Sequence, residues 1–124
     1  MENYNIDITD RAKKALKKLV NKDNELLAEI NNKIIQLAKG NHELLDLKPI
    51  KRKKKKYNIN EIRIKSPISY RVFYVHIFEK NNNILIVDGR KKKVSKFKSK
   101  YFDQLDLCIT EHRGGKWWKI TMCM

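Results

Sequence analysis

The sequence predicts an α+β domain: an N-terminal strand, a two-helix hairpin, then an antiparallel three-stranded sheet. Three observations carry this expectation. Apolar residues recur at helical spacing between Ala12 and Leu37. From Tyr57 onward the period falls to two, and then gives way to a continuous apolar run. Positive charge is confined to one stretch: Lys48 to Lys100 holds 18 Lys and Arg against Glu61, Glu79 and Asp88, while the segments on either side balance. The formal charge of +15 is thus one block laid over the part that reads as sheet.

A chain of 124 residues fits one domain, here residues 1–110, with 111–124 as an unassigned tail. Its 41% hydrophobic content supports a modest core, and 35% charged residues require a strongly ionic surface. No apolar run approaches the ~20 residues of a membrane span. The start Met-Glu-Asn-Tyr lacks the basic and apolar regions of a signal peptide, so the cytoplasm is the expected location. Cys108 and Cys123 form neither a metal spacing nor a disulfide framework, and His42, His76 and His112 are scattered. Buried or incidental thiols, and no metal or cofactor, are the expectation.

Asn3 to Thr9 reads as a strand, because Tyr4, Ile6 and Ile8 alternate with polar residues. Thr9 or Asp10 can cap the helix that follows, whose stripe is Ala12, Leu16, Leu19 and Val20. Asn21 to Asn24 interrupt the pattern and offer a second cap at Asp23 or Asn24. Leu27, Ile30, Ile34 and Leu37, widened by Leu26 and Ile35, form the second stripe, and Gly40 closes it. His42 to Pro49 is a connection whose three leucines tuck beneath the sheet.

Lys51 to Lys56 are six consecutive bases that repel one another, so a loop or exposed strand start is expected. Tyr57 to Lys65 alternates: Asn60, Ile62 and Ile64 share one face, and Ile59, Glu61 and Arg63 the other. Ser66-Pro67 turns the chain. Tyr70 to Phe78 is a β-prone strand with Val72, Tyr74 and His76 opposite Arg71, Phe73 and Val75. Asn81 to Asn83 forms a turn, and Ile84 to Val87 suits a central strand buried on both faces. Asp88-Gly89 ends that run, and a short helix is expected over Ser99 to Cys108. The helix stripes need a partner, and one sheet face supplies it. The other face then presents Glu61, Arg63 and Arg71 beside the basic loops.

A polarised basic surface on a small domain points to a polyanion, most often nucleic acid. Phosphate contacts of this kind raise affinity without reading sequence and weaken as salt rises.

Three linked pieces carry a resemblance: Asn60-Glu61-Ile62-Arg63-Ile64-Lys65, then Tyr70-Arg71-Val72-Phe73-Tyr74, then Ile84-Leu85-Ile86-Val87 leading through Gly89 to Lys91-Lys92. Behind a two-helix hairpin, in this order, they resemble the RelE/ParE superfamily of toxins from type II toxin–antitoxin pairs, most closely its HigB-like, phage-associated branch. The resemblance runs from Tyr4 to about Leu105. It implies a ribosome-dependent endoribonuclease that cuts messenger RNA without a metal, using the substrate's own 2′-hydroxyl as nucleophile.

Carried over by position, Glu61 is implied as general base or its organiser, and Arg63 as a contact to the scissile phosphate. Arg71 is implied to stabilise the transition state, and Lys91 to act on the leaving group. Phe97 falls where the family often has a tyrosine that stacks on a base; the hydroxyl is absent here, and Tyr101 is the alternative source. No clear general acid is found. The basic residues implied to hold RNA are Lys51, Arg52, Lys53, Lys54, Lys55 and Lys56 in the first cluster, Lys65 beyond the strand, and Arg90, Lys92 and Lys93 in the second. The resemblance further implies a cognate antitoxin, of helix-turn-helix type, with operator DNA bound only through the complex.

Simpler readings stand beside these. Glu61, Arg63 and Arg71 could be cross-strand ion pairs, the lysine run a solvated loop, and Trp117-Trp118 packing rather than base-stacking residues. At the level of function the alternatives are a ParE-like DNA gyrase inhibitor and a non-catalytic nucleic-acid-binding domain.

Overall fold

The structure, a computed structural model, describes residues 4–77, 83–92 and 97–123, with side chains as far as 112. The elements are β1 (Asn5–Ile8), α1 (Asp10–Lys17), α2 (Asn24–Ala38), a 3₁₀ turn (His42–Leu44), β2 (Leu47–Pro49), β3 (Asn60–Ile64), β4 (Tyr70–Ile77), β5 (Asn83–Lys91) and α3 (Ser99–Cys123). Among the described residues the sheet has five strands in the order β1-β5-β4-β3-β2. β1 joins β5 in parallel, and all other pairs are antiparallel. The expected α+β order holds; β1 lies beside the three central strands, and Leu47–Pro49 adds an edge where proline's missing N–H is tolerated.

The helix boundaries follow from their caps. Thr9 accepts the Ala12 N–H on its side chain and opens α1, while Asp23 accepts from Leu26 and opens α2. Beyond α2, Gly40 takes φ 76°. The Asn41 N–H then donates to Gln36 O at 3.0 Å and the Gly40 N–H to Leu37 O at 3.1 Å, the paired bonds of a Schellman stop.

The hairpin buries most of its expected stripe, while Val20 and Ile35, at its margins, stay exposed. Ala12, Leu19, Leu26, Ile30 and Leu37 close on Ile62, Ile64, Val72, Tyr74, Ile84 and Ile86. Leu45 and Leu47 pack at the margin of this core, but Leu44 stays exposed. His76 sits edge-on to Tyr4 and Tyr74 on the same face.

The opposite face differs from expectation. It is not open: α3 is 25 residues long and lays Tyr101, Phe102, Leu105 and Ile109 over Ile59, Phe73, Val75, Leu85 and Val87. The reason is in the strands themselves. β4 and β5 are apolar on both faces, so each face needs a covering layer. Polar links fix the helix between Asp106 and His112. Arg52 donates to both Asp106 oxygens at 2.7 and 2.9 Å, Tyr57 and Thr110 hydroxyls meet at 3.0 Å, and His112 reaches Asp7 at 3.0 Å. Cys108, half-buried in this layer, is a free thiol whose pKa burial pushes up. Among the described residues no helix is long and apolar enough to cross a membrane.

Candidate active site and nucleic-acid interface

Register builds the site. Across β3, β4 and β5 one row of facing residues is Glu61, Phe73 and Asp88, and the next is Arg63, Arg71 and Arg90. Three arginines side by side repel unless each finds its own partner. They do so by diverging.

Arg71 stays in the layer, 6% exposed, with its Nε 3.8 Å from Glu61 Oε2. Its Nη1 donates to Tyr70 O at 3.1 Å, to Ser69 Oγ at 3.2 Å and to Ile64 O at 3.4 Å. Arg63 turns to the sheet edge, where its Nε is 3.5 Å from Asp46, with Lys65 4.0 Å from the same carboxylate. Arg90 lies over the Tyr101 ring at 4.7 Å and near Phe97 at 5.8 Å.

The fourth implied catalytic residue, Lys91, is on the other side of the sheet. Its register partner is Tyr70, a member of the hairpin core. The cause is a β-bulge: Phe73 faces Asp88 while Tyr74 faces Ile86, leaving Val87 as the extra residue. Alternation from Leu85 and Val87 would carry Lys91 onto the Arg71 face. One inserted residue reverses it. Of the four implied catalytic residues, then, the fold brings Glu61 and Arg71 together and separates Arg63 and Lys91 from them.

Glu61, 6% exposed, reaches the floor of an open groove of about 880 Å³. The lining carries Lys48, Lys51, Lys53, Lys54 and Lys92 against one exposed carboxylate, Asp103, and includes Phe97. A carboxylate beneath a cationic rim can accept a proton from a hydroxyl whose neighbouring phosphate the lysines hold. Arg71 does not line the groove; it holds Glu61 from beneath.

The implied RNA-binding residues divide. Lys51 and Lys53 to Lys56 are exposed on a loop, as the charge run predicted. Arg52, in the middle of that run, is not available to RNA: its side chain is buried against Asp106 and also donates to Tyr57 O at 2.8 Å. Phe97 is packed edge-on against Phe73 at 5.5 Å, with the Lys92 ammonium 5.7 Å from its ring. Lys65 and Arg90 are exposed. Lys93, the Asn81–Asn82 part of the expected turn and the side chains of Trp117 and Trp118 lie outside what is described.

Tyr101, the alternative source of a hydroxyl, is committed elsewhere. It donates to the buried Asp88 at 2.5 Å, and burial, reinforced by the Asp88 charge, pushes its pKa far up. Arg11 donates to the same Asp88 oxygen at 3.1 Å, and the Gly89 N–H to the other at 2.8 Å. Along the sequence Asp88 marks only a strand end, and nothing in the local pattern marks it as a hub. A stripe on α1 and its exit, Arg11, Lys14, Lys18 and Lys22, was legible from its spacing but hidden by the neutral sum over residues 1–47.

No protein-family model matches the chain, and no curated protein is significantly similar to it. Among solved structures, a chain of the RelBE2 toxin–antitoxin complex from Mycobacterium tuberculosis is similar, at 22% identity and a TM-score of 0.50. The likeness covers 76% of this chain and 97% of that one. At this identity it speaks for architecture alone: the chain shares the α+β fold of that chain.

Proposed function

We propose that the protein is the toxin of a type II toxin–antitoxin pair, of HigB-like type, and that it is a metal-independent endoribonuclease acting on messenger RNA at the ribosome. The observation that carries this is the Glu61 carboxylate at the floor of a lysine-rimmed groove, held from behind by Arg71, on a RelE-like fold. Glu61 takes the proton of a 2′-hydroxyl as that oxygen bonds to phosphorus. The bond from phosphorus to the 5′-oxygen breaks, the 5′-oxygen takes a proton from water, and a cyclic phosphate remains. Lys92, Lys51 and Lys53 hold the phosphate charge, and Arg71 acts as a positioning residue for Glu61. The partner is an antitoxin of helix-turn-helix type, with operator DNA met only through the complex, in the cytoplasm.

The burial of both Glu61 and Arg71 supports a second reading, a nucleic-acid-binding domain without catalysis. Mapping of 5′ transcript ends after brief induction separates the readings. New ends within translated frames, present with wild type and lost with Glu61→Gln and Arg71→Ala, are the expected result. Growth arrest without new ends would refute the nuclease and direct attention to gyrase. Neither ends nor arrest would leave the binding domain.

A further inference from the structure

A second groove, of about 910 Å³, lies between α1 and the far end of β5, outside the Glu61 site. Arg11, Lys14, Lys18 and Lys22 face it from α1 and its exit, and Arg90 and Lys91 from β5. Its two carboxylates are already engaged: Asp23 caps α2, and Asp88 takes Tyr101, Arg11 and its neighbouring N–H. The remaining field is cationic. Lys14, Lys18, Lys22 and Lys91 are exposed, and among the described residues none has a carboxylate within ion-pair distance. Four lysines without counter-charges oppose one another, and a polyanion relieves that repulsion.

The two grooves adjoin. Phe97 lines both, with the Arg90 guanidinium 5.8 Å and the Lys92 ammonium 5.7 Å from its ring. A strand leaving the Glu61 groove past Phe97 therefore enters the α1 groove directly. The bulge in β5 contributes directly, because it is what delivers Lys91 to this side.

We infer that the α1 groove binds the phosphodiester backbone of the single-stranded RNA that continues beyond the Glu61 groove, so that the two form one track. The choice of RNA rests on the nuclease reading; the phosphate chemistry rests on the groove itself. Lys14, Lys18, Lys22 and Lys91 each neutralise a phosphate, and Phe97 marks the passage between the two segments.

The test is fluorescence anisotropy with an oligouridylate of about twelve residues, long enough for both grooves. It compares wild type with the Lys14→Gln/Lys18→Gln/Lys22→Gln variant across a salt series. All three lysines are exposed, and an unchanged Tm verifies that the variant folds. The expected result is a loss of at least about tenfold in affinity at low salt, with the slope of log K against log salt shallower by about 2, since each single-strand phosphate contact contributes ~0.7. Unchanged affinity and slope would overturn the inference, as would absence of salt-dependent binding by wild type. Loss of binding to a polyglutamate peptide with RNA binding intact would assign the groove to an acidic protein and overturn it equally. The anisotropy reads binding without cleavage, so failure of the nuclease reading in transcript mapping is distinguishable from failure here.

Discussion

Beneath the helix hairpin, Ile62, Val72, Tyr74, Ile84 and Ile86 meet Leu26, Ile30 and Leu37. Beneath α3 the same three strands present Glu61, Arg71 and Asp88 among Phe73, Val75 and Leu85. The first interface is a matching of apolar stripes. The second is apolar at its centre and ionic at its margins, where Arg52 grips Asp106, Tyr101 and Arg11 hold Asp88, and Arg71 holds Glu61. The buried charged residues Glu61, Arg71, Asp88 and Asp106, together with the buried Arg52 side chain, belong to the α3 side among the described residues. The contrast teaches where chemistry resides. A hydrophobic interface tolerates any complementary filling, whereas buried ions persist only where each has a placed partner, and the groove that opens onto Glu61 lies at such a margin.

If the contrast is right, the largest single effect belongs to the ionic side. Arg52→Ala leaves Asp106 buried without its bidentate partner and should cost about 4 kcal/mol in urea unfolding. The joint replacement Arg52→Met/Asp106→Leu should recover most of that loss, and a single-variant cost under about 1 kcal/mol would dissolve the distinction between the faces. Next comes the apolar side. Leu26→Ala, at a fully buried position, should cost about 3 kcal/mol through lost burial and an unfilled cavity, with the transcript-cleavage pattern unchanged.

Tyr101→Phe sharpens the comparison further. It removes only the hydroxyl that Asp88 accepts, so a loss of about 2 kcal/mol is expected with the ring packing kept. Because Tyr101 is a structural lock, its loss should leave new transcript ends in place; their disappearance in a folded variant would return it to the reaction.

The smallest effect tests the hairpin face by pH. Burial, with the His42 charge adding, lowers the pKa of His76 below its ordinary 6.5. The unfolded chain therefore binds that proton first on acidification, and stability falls as pH drops through 6.5 toward the native value. Replacing His76 by Phe should flatten the Tm profile over that window, while an unaltered profile would show that other groups govern it.

Much of the architecture was open to reading along the chain. The hairpin stripe, the Gly40 stop, the alternation of β3 and the doubly buried run of β5 all rest on local period and backbone preference, which neighbours in sequence express. The site was legible in part. Glu61 and Arg71 sit on one face because β3 and β4 alternate without interruption up to their pairing. Arg63 was placed on the correct strand face, but its side chain follows Asp46, a residue 17 positions earlier that only the β2–β3 edge brings close. The exposure of the lysine loop follows from its charge run, but Arg52 departs from it, because burial of one member of such a run depends on a carboxylate 54 residues away.

By itself, then, the sequence determined the two hairpin helices and the strands β1, β3, β4 and β5, most of the hairpin core, and that cationic charge gathers on one stretch of the chain. These are consequences of periodicity and composition, properties carried by short stretches of chain. Tertiary structure alone decided that α3 closes the second face, that the Val87 bulge sends Lys91 to the α1 groove, and that Asp88 and Asp106 become buried anchors. Each of these depends on register and long-range pairing. A single added residue or a distant counter-charge reverses the outcome there without changing the local pattern.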